Sequence, residues 1–262
     1  MPGPLKRVVR RQVGRLPVWE LRLKLLRSPD TLRLWIGEVR EGRHARKHLV
    51  PLPHARVATI IPTYKRGPEL HEAIRSALDQ TVTDQVVVVV DDGGGLPDDL
   101  PDDPRLFAFS LTRNYGTVGV TRNVGIRASQ SQYLAFLDDD NIWEPNHLAI
   151  SLAALEGGAG LTYTALRREA PDGTLVDILS VPFDRKVARD HAFADASAIV
   201  VRRGKGTFFS RVPRRRGDFP REDWELAYRL SRRLRVEHLD EATVVYRVHD
   251  GSFFSAWGSA SD

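Results

Sequence analysis

The sequence predicts an α/β protein whose central, mostly parallel sheet is flanked by helices. Three observations predict it. Short apolar strands and amphipathic helices alternate from residue 55 onward, the second of those strands is apolar at five successive positions, and two acidic clusters fall where strands should end.

Residues 1–54 read as a basic N-terminal extension, in which L-K-R-V-V-R-R-Q-V-G-R and L-R-L-K-L-L-R interleave cations with aliphatics. Leu21, Leu23 and Leu25 fit a strand, whereas Leu21, Leu25 and Leu26 fit a helix, so periodicity leaves both open. Packing across the back of the main domain with solvated arginines is the favoured placement. The alternative is a peripheral, salt-sensitive contact with anionic lipid. Pro51 and Pro53 mark the boundary, and residues 55–262 make the main domain.

Val57 to Ile61 is a short apolar strand stopped by Pro62, and Gly67-Pro68 opens a helix with Leu70, Ala73, Ile74, Ala77 and Leu78 on one face. Val86 to Val90 is β-branched throughout, as a strand covered on both faces should be, and runs into Asp91-Asp92 and a triple-glycine turn. Leu106 to Phe109 supplies a third strand, and Val120, Val124 and Ala128 mark a second helix. Then come the Tyr133 strand and a helix carrying Leu148, Leu152 and Leu155.

The second half reads differently. Leu161 to Leu166, the turn Pro171-Asp172-Gly173, and Leu175 to Leu179 predict a hairpin, and Ala198 to Arg202 another strand. A helix follows with Leu226, Ala227, Leu230 and Leu234 in an apolar stripe and Glu222 and Asp223 in its first turn. The last strand is Thr243 to Arg247, leading to His249 and an aromatic tail.

Composition narrows the function classes. The 262 residues contain no cysteine, which excludes disulfides, thiolate nucleophiles and cysteine zinc sites; any metal must sit on oxygen or histidine. No apolar run approaches the roughly 20 residues that span a bilayer, and no signal-peptide segment is legible, so a cytoplasmic location is expected, with peripheral contact at the inner membrane face through residues 1–54. A net charge of +5 favours anionic partners.

The stretch Y-L-A-F-L-D-D-D-N-I-W, Tyr133 to Trp143, carries the chemistry. A buried strand here delivers Asp138, Asp139 and Asp140 to a sheet edge. Three adjacent carboxylates repel one another unless a cation compensates, and their oxygens suit Mg2+ or Mn2+. A solvated acidic turn is the other reading. In a parallel sheet, ligands bind beyond the carboxyl ends of the strands, and both acidic clusters lie at such ends, which favours the metal.

The ordered set I-I-P-T-Y-K-R, V-V-V-D-D-G, T-R-N-V-G-I, Y-L-A-F-L-D-D-D-N, R-E-D-W-E-L and Y-R-V-H-D-G-S resembles the family 2 inverting glycosyltransferases of the GT-A fold over about residues 55–255. The resemblance implies a Rossmann-like nucleotide-diphosphosugar transferase fold and a nucleotide-sugar donor, usually a UDP-sugar. It also implies a divalent cation and inverting transfer to an acceptor hydroxyl on a glycan, a lipid-linked sugar or a small molecule.

By the same resemblance, Asp140 is the expected metal ligand, with His249 a second, and Asp138 and Asp139 hold ribose, sugar or metal-bound water. Pro62, Thr63 and Tyr64 would form the nucleoside pocket, and Asp92 would accept from the uracil imide or a ribose hydroxyl. Arg66 and Arg122 could approach phosphate, although a solvated helix charge suits Arg122 equally well. Asp223 is the expected general base, ionised at pH 7, with Glu222 as the fallback. A helix-capping role suits Asp223 equally well by position.

Two other classes account for part of the sequence. A sugar-nucleotide pyrophosphorylase usually opens with a Gly-rich loop carrying Arg and Lys, and I-P-T-Y-K-R has no glycine before Lys65. A nucleic-acid-binding module would use the basic balance, yet clustered acids repel phosphate, so no nucleic-acid partner is expected. Donor sugar, acceptor and oligomeric state are not legible.

Overall fold

The structure is a computed structural model that describes residues 13–48, 52–215 and 218–248. His249 and the aromatic tail beyond it lie outside these residues. Two helices, α1 (Arg15–Leu26) and α2 (Ser28–His48), precede the sheet. The first half of the remaining chain runs β1 (Val57–Thr63), α3 (Pro68–Leu78), β2 (Gln85–Asp91), β3 (Leu106–Ser110), α4 (Val118–Ala128) and β4 (Tyr133–Phe136). Then follow β5 (Ile142–Trp143), α5 (His147–Glu156), β6 (Leu161–Glu169), β7 (Leu175–Leu179), β8 (Ile199–Arg202), α6 (Glu222–Leu230) and β9 (Val236–Arg247).

One sheet holds all these strands in the order β3-β2-β1-β4-β8-β6-β9-β5, with β7 paired to β6. Strands β1 to β4 are mutually parallel, and β6 and β9 share their direction because the intervening β8 is antiparallel to both β4 and β6. The sheet is therefore mostly parallel, as the sequence predicts. Every residue of β1 and β2 is buried, which the unbroken valines of β2 require; covering each Val contributes roughly 1.5–3 kcal/mol.

Three boundaries differ from the sequence reading. Strand β1 continues through Pro62 to Thr63. Ile60 accepts from Leu137 N–H on the β4 side and Thr63 accepts from Asp92 N–H on the β2 side, so Pro62 faces β4, whose pairing ends at Phe136. The proline's missing donor therefore costs no ladder bond. Strand β9 begins at Val236, because its first half pairs with β6 despite a polar sequence. Leu234 lies beyond the end of α6.

The extension is helical. Helix α2 turns Gly37, Glu38, Glu41, Gly42 and Ala45 inward, a helical stripe, and packs on α4. At Gly37 a Cβ would stand 2.4 Å from the Tyr115 ring, so only glycine permits this approach. Glu38 is fully buried and paired, with Oε1 accepting from Arg127 Nε at 2.8 Å and Oε2 from Asn123 Nδ2 at 2.8 Å, while Arg211 forks onto both oxygens. Among the described residues no helix is long and apolar enough to cross a membrane.

Candidate active site

Strands β1, β2 and β4 are parallel and in register, so their carboxyl ends deliver Thr63, Asp91-Asp92 and Asp138 to one edge. The Asp91 carboxylate accepts from the N–H groups of Gly94 and Gly95 and holds the turn that follows β2. Within that turn Gly93 has φ 75°, and a Cβ there would meet the Arg113 backbone at 2.4 Å.

A cleft of about 390 Å³ opens at this edge and brings together Pro62, Thr63, Tyr64, Arg66, Asp92 and Asp139. The loop Asn114 to Val118 closes its far side. Asp92 orders that loop, accepting from Tyr115 N–H at 2.9 Å and Gly116 N–H at 2.8 Å. Burial raises the Asp92 pKa against these two donors. Each carboxylate oxygen keeps a second lone pair. Tyr64 is 42% exposed, with Lys65 Nζ over its ring at 5.2 Å from the centroid.

The three consecutive acids have distinct partners. Asp139 accepts from Thr63 Oγ1 at 2.7 Å and meets Arg66 Nε at 3.3 Å; burial still pushes its carboxyl up to about 6. Asp140 accepts from Arg66 Nη2 at 2.9 Å. Asp138 pairs with Arg122, and its N–H donates to Ser197 Oγ at 3.2 Å. Burial, joined by the charges of Asp140 and Glu222, raises the Asp138 pKa against Arg122.

Arg122 does not line the cleft; at 2% exposed it lies beneath the acidic edge, reaching from Asp138 to Glu222 Oε1 at 3.3 Å and stacking over Phe209. Burial opposes its charge, yet Asp138 and Glu222 raise its pKa.

Helix α6 meets the acidic edge through this arginine. Burial would raise the Glu222 pKa, but Arg122, Arg221 and Arg214 outweigh it and hold the group below its ordinary value. Asp223, the next residue, has no such partner. It is 9% exposed, accepts from Trp224 N–H at 2.7 Å, and is pushed up to about 6 by burial and then by Glu222. That value brings the group nearer the pH at which a general base works best.

Sequence reasoning missed Asp195. It is buried, accepts from Ser197 N–H at 2.8 Å, and feels the charges of Asp138 and Asp223. Burial and these two acids hold its pKa well above the ordinary range. No motif marks it, because a single Asp ahead of a strand reads as a turn residue.

A metal must be judged against these donors. Among the described residues no group of three His, Cys, Asp or Glu converges to hold one. Arg66 nevertheless bridges Asp139 and Asp140, so these two carboxylates already share one positive charge. Hard oxygens at this edge fit Mg2+ or Mn2+ bound through one or two carboxylates, with diphosphate and water completing the shell.

The family model for Glycosyl transferase family 2 matches residues 58–218, more than half of the chain and the whole span from β1 past β8. The chain belongs to glycosyl transferase family 2. This glycosyltransferase is 34% identical over 94 residues to the poly(ribitol-phosphate) beta-N-acetylglucosaminyltransferase TarP of Staphylococcus aureus, covering 33% of the chain and 29% of TarP. It is 33% identical over 102 residues to the succinoglycan biosynthesis protein ExoW of Rhizobium meliloti, covering 36% of the chain and 32% of ExoW. The matches thus span about a third of these relatives' lengths.

Two solved structures share the glycosyltransferase's fold. Residues 1–349 of S. aureus TarS in complex with UDP-GlcNAc superpose with a TM-score of 0.57 at 17% identity, over 77% of this chain and 61% of that one. The mannosyltransferase PcManGT of Pyrobaculum calidifontis, in complex with GDP-Man and Mn2+, gives a TM-score of 0.57 at 17% identity over 89% and 71%. The mixed α/β sheet is that of these GT-A neighbours, and family membership sets aside the pyrophosphorylase and nucleic-acid-binding readings.

Proposed function

We propose that this glycosyltransferase moves a sugar from a UDP-sugar to an acceptor hydroxyl with inversion at the anomeric carbon, using Asp223 as general base. One observation carries the reading: a single buried arginine joins Asp138, at the donor edge of the sheet, to the helix that begins with Glu222 and Asp223. Donor-side and acceptor-side acids are thereby held in one rigid frame.

In this reading the uridine lies in the cleft against Tyr64, with Asp92 accepting from the imide or a ribose hydroxyl. Arg66 would turn from Asp139 and Asp140 toward the diphosphate, and Asp140 with Asp139 would hold Mg2+ or Mn2+. When bound, that cation would neutralise charge on the departing diphosphate. Asp223 takes the acceptor proton as its oxygen bonds to the anomeric carbon, and the bond from that carbon to UDP breaks on the opposite face. Glu222 is held by Arg122 as an ion-pair partner and serves position, not proton transfer. The names of TarP, a poly(ribitol-phosphate) transferase, and of ExoW, a succinoglycan biosynthesis protein, suggest a hydroxyl on a polymer of that kind as the acceptor class.

The test is a thermal-shift screen of UDP-sugars and GDP-sugars with Mn2+ or EDTA, followed by assay of released UDP. A UDP-sugar at about 100 times its Kd should stabilise by roughly 2.7 kcal/mol with Mn2+ only. Stabilisation by GDP-sugars alone overturns the uridine assignment, and equal stabilisation in EDTA overturns the metal.

A further inference from the structure

Helices α1 and α2 sort their side chains by face. Residues 13–48 contain nine Lys and Arg against four acids. Three of the acids, Glu20, Glu38 and Glu41, are buried against the body of the protein, whereas eight of the nine cations are exposed. Glu20 accepts from Arg214 at 2.7 Å, and Glu41 accepts from the Tyr115 hydroxyl at 3.0 Å. Glu20 and Glu38 are thus paired with arginines of the body and Glu41 is hydrogen-bonded to it, while the outward face keeps its cations.

That same outward face is apolar between the cations. Leu21, Leu25 and Leu26 on α1, with Leu32, Trp35 and Ile36 on α2, are between 39% and 70% exposed. Leu21 and Leu25 lie one turn apart, as do Leu32, Trp35 and Ile36, so each set forms a ridge on its helix. Lys24, at the end of α1, lines a common groove with Leu32 and Trp35 of α2, so the two helices meet along one seam. Water-exposed leucines in such number are costly on a free surface.

We infer that the outward face of α1 and α2 is an interfacial docking surface for a bilayer rich in anionic lipid. Cations flanking Leu and Trp on a helix lying in the interface plane are what such a surface needs: the apolar ridge enters the acyl boundary while Arg33, Arg40 and Arg43 meet headgroup phosphates. Charge complementarity selects this occupant over a second copy, because two such faces would repel. It selects it over nucleic acid because six large apolar side chains would remain uncovered on a phosphate backbone. The groove of about 590 Å³ that Leu32 and Trp35 line is also lined by Glu225 and Arg229 of α6.

The full chain is sedimented with vesicles of phosphatidylcholine alone and of phosphatidylcholine with phosphatidylglycerol. Binding to the anionic vesicles only, loosened by salt, is expected. Arg33→Gln/Arg40→Gln/Arg43→Gln should weaken it roughly 100-fold, and Leu32→Ser/Trp35→Ser/Ile36→Ser roughly tenfold or more. Circular dichroism checks both variants; should the apolar variant fail to fold, the exposed cation variant decides alone. Equal binding to both vesicle types, no binding to either, or unchanged binding of the cation variant would overturn the inference. So would self-association abolished by these same substitutions, or an oligonucleotide bound as tightly as the anionic vesicles and unaffected by loss of the apolar ridge.

Discussion

Arg122 and Asp138 form an ion pair beneath the donor edge of the sheet, with the arginine 2% exposed and its second terminal nitrogen on Glu222. Removing one member of a buried pair leaves an uncompensated charge, which costs about 3–5 kcal/mol. Arg122→Met should therefore lower stability by about that much in urea denaturation, and adding Asp138→Asn and Glu222→Gln should recover most of it. A loss below about 1 kcal/mol in the single variant would show that the guanidinium does not hold the frame together.

Arg66 occupies the charge position between Asp139 and Asp140. A divalent cation must displace it, so Arg66→Gln should bind Mn2+ more tightly in the absence of donor, by calorimetry, and bind UDP more weakly once metal is present. Asp140→Ala should abolish metal-dependent UDP binding with the fold intact by circular dichroism. Full transfer by wild type in excess EDTA contradicts both expectations.

Asp195 is held well above the ordinary carboxylate range by burial and by Asp138 and Asp223. A carboxyl whose folded-state pKa is raised contributes stability that is present at low pH and lost as pH rises through the folded value. Asp195→Asn keeps an acceptor for Ser197 N–H and removes that titration. Its melting temperature relative to wild type should thus be higher at pH 8 than at pH 5, by a few degrees. A difference independent of pH would mean that the Asp195 carboxyl does not carry a raised pKa.

Much of this architecture is legible in the sequence, because parallel strands buried on both faces and amphipathic helices leave strong local patterns. Val86 to Val90 and the Leu70 to Leu78 face are examples. The boundaries that escaped, Pro62 within β1 and Val236 at the start of β9, depend on which neighbour a backbone group faces. The placement of Thr63, Asp92 and Asp139 at one sheet edge was legible because strand ends are. The burial of Arg122 was not, since a single Arg on a helix carries no sign of the Asp138 and Glu222 that enclose it. Asp195 escaped because its neighbours come from β4 and α6, far apart in sequence.

Asp223 yields the sharpest expectation. Its carboxyl is pushed up to about 6 by burial, so at pH 7 it is mostly ionised and competent to take a proton. Wild-type kcat/KM should fall about tenfold per pH unit once the pH drops well below 6, as the base is protonated. Asp223→Asn retains an oxygen to accept from Trp224 N–H, so the helix start should survive, while transfer falls roughly 100-fold or more with UDP affinity unchanged. Asp139 also titrates near 6, which makes the acidic limb ambiguous in wild type alone. The residual activity of Asp223→Asn separates the two: a flat profile between pH 5 and 7 assigns the limb to Asp223, and an unchanged limb assigns it to Asp139. A role confined to holding the helix start predicts the opposite pattern, with a lower melting temperature and turnover per folded molecule nearly intact. Near-normal turnover in Asp223→Asn, with Glu222 already committed to Arg122, would end the carboxylate-base mechanism for this chain.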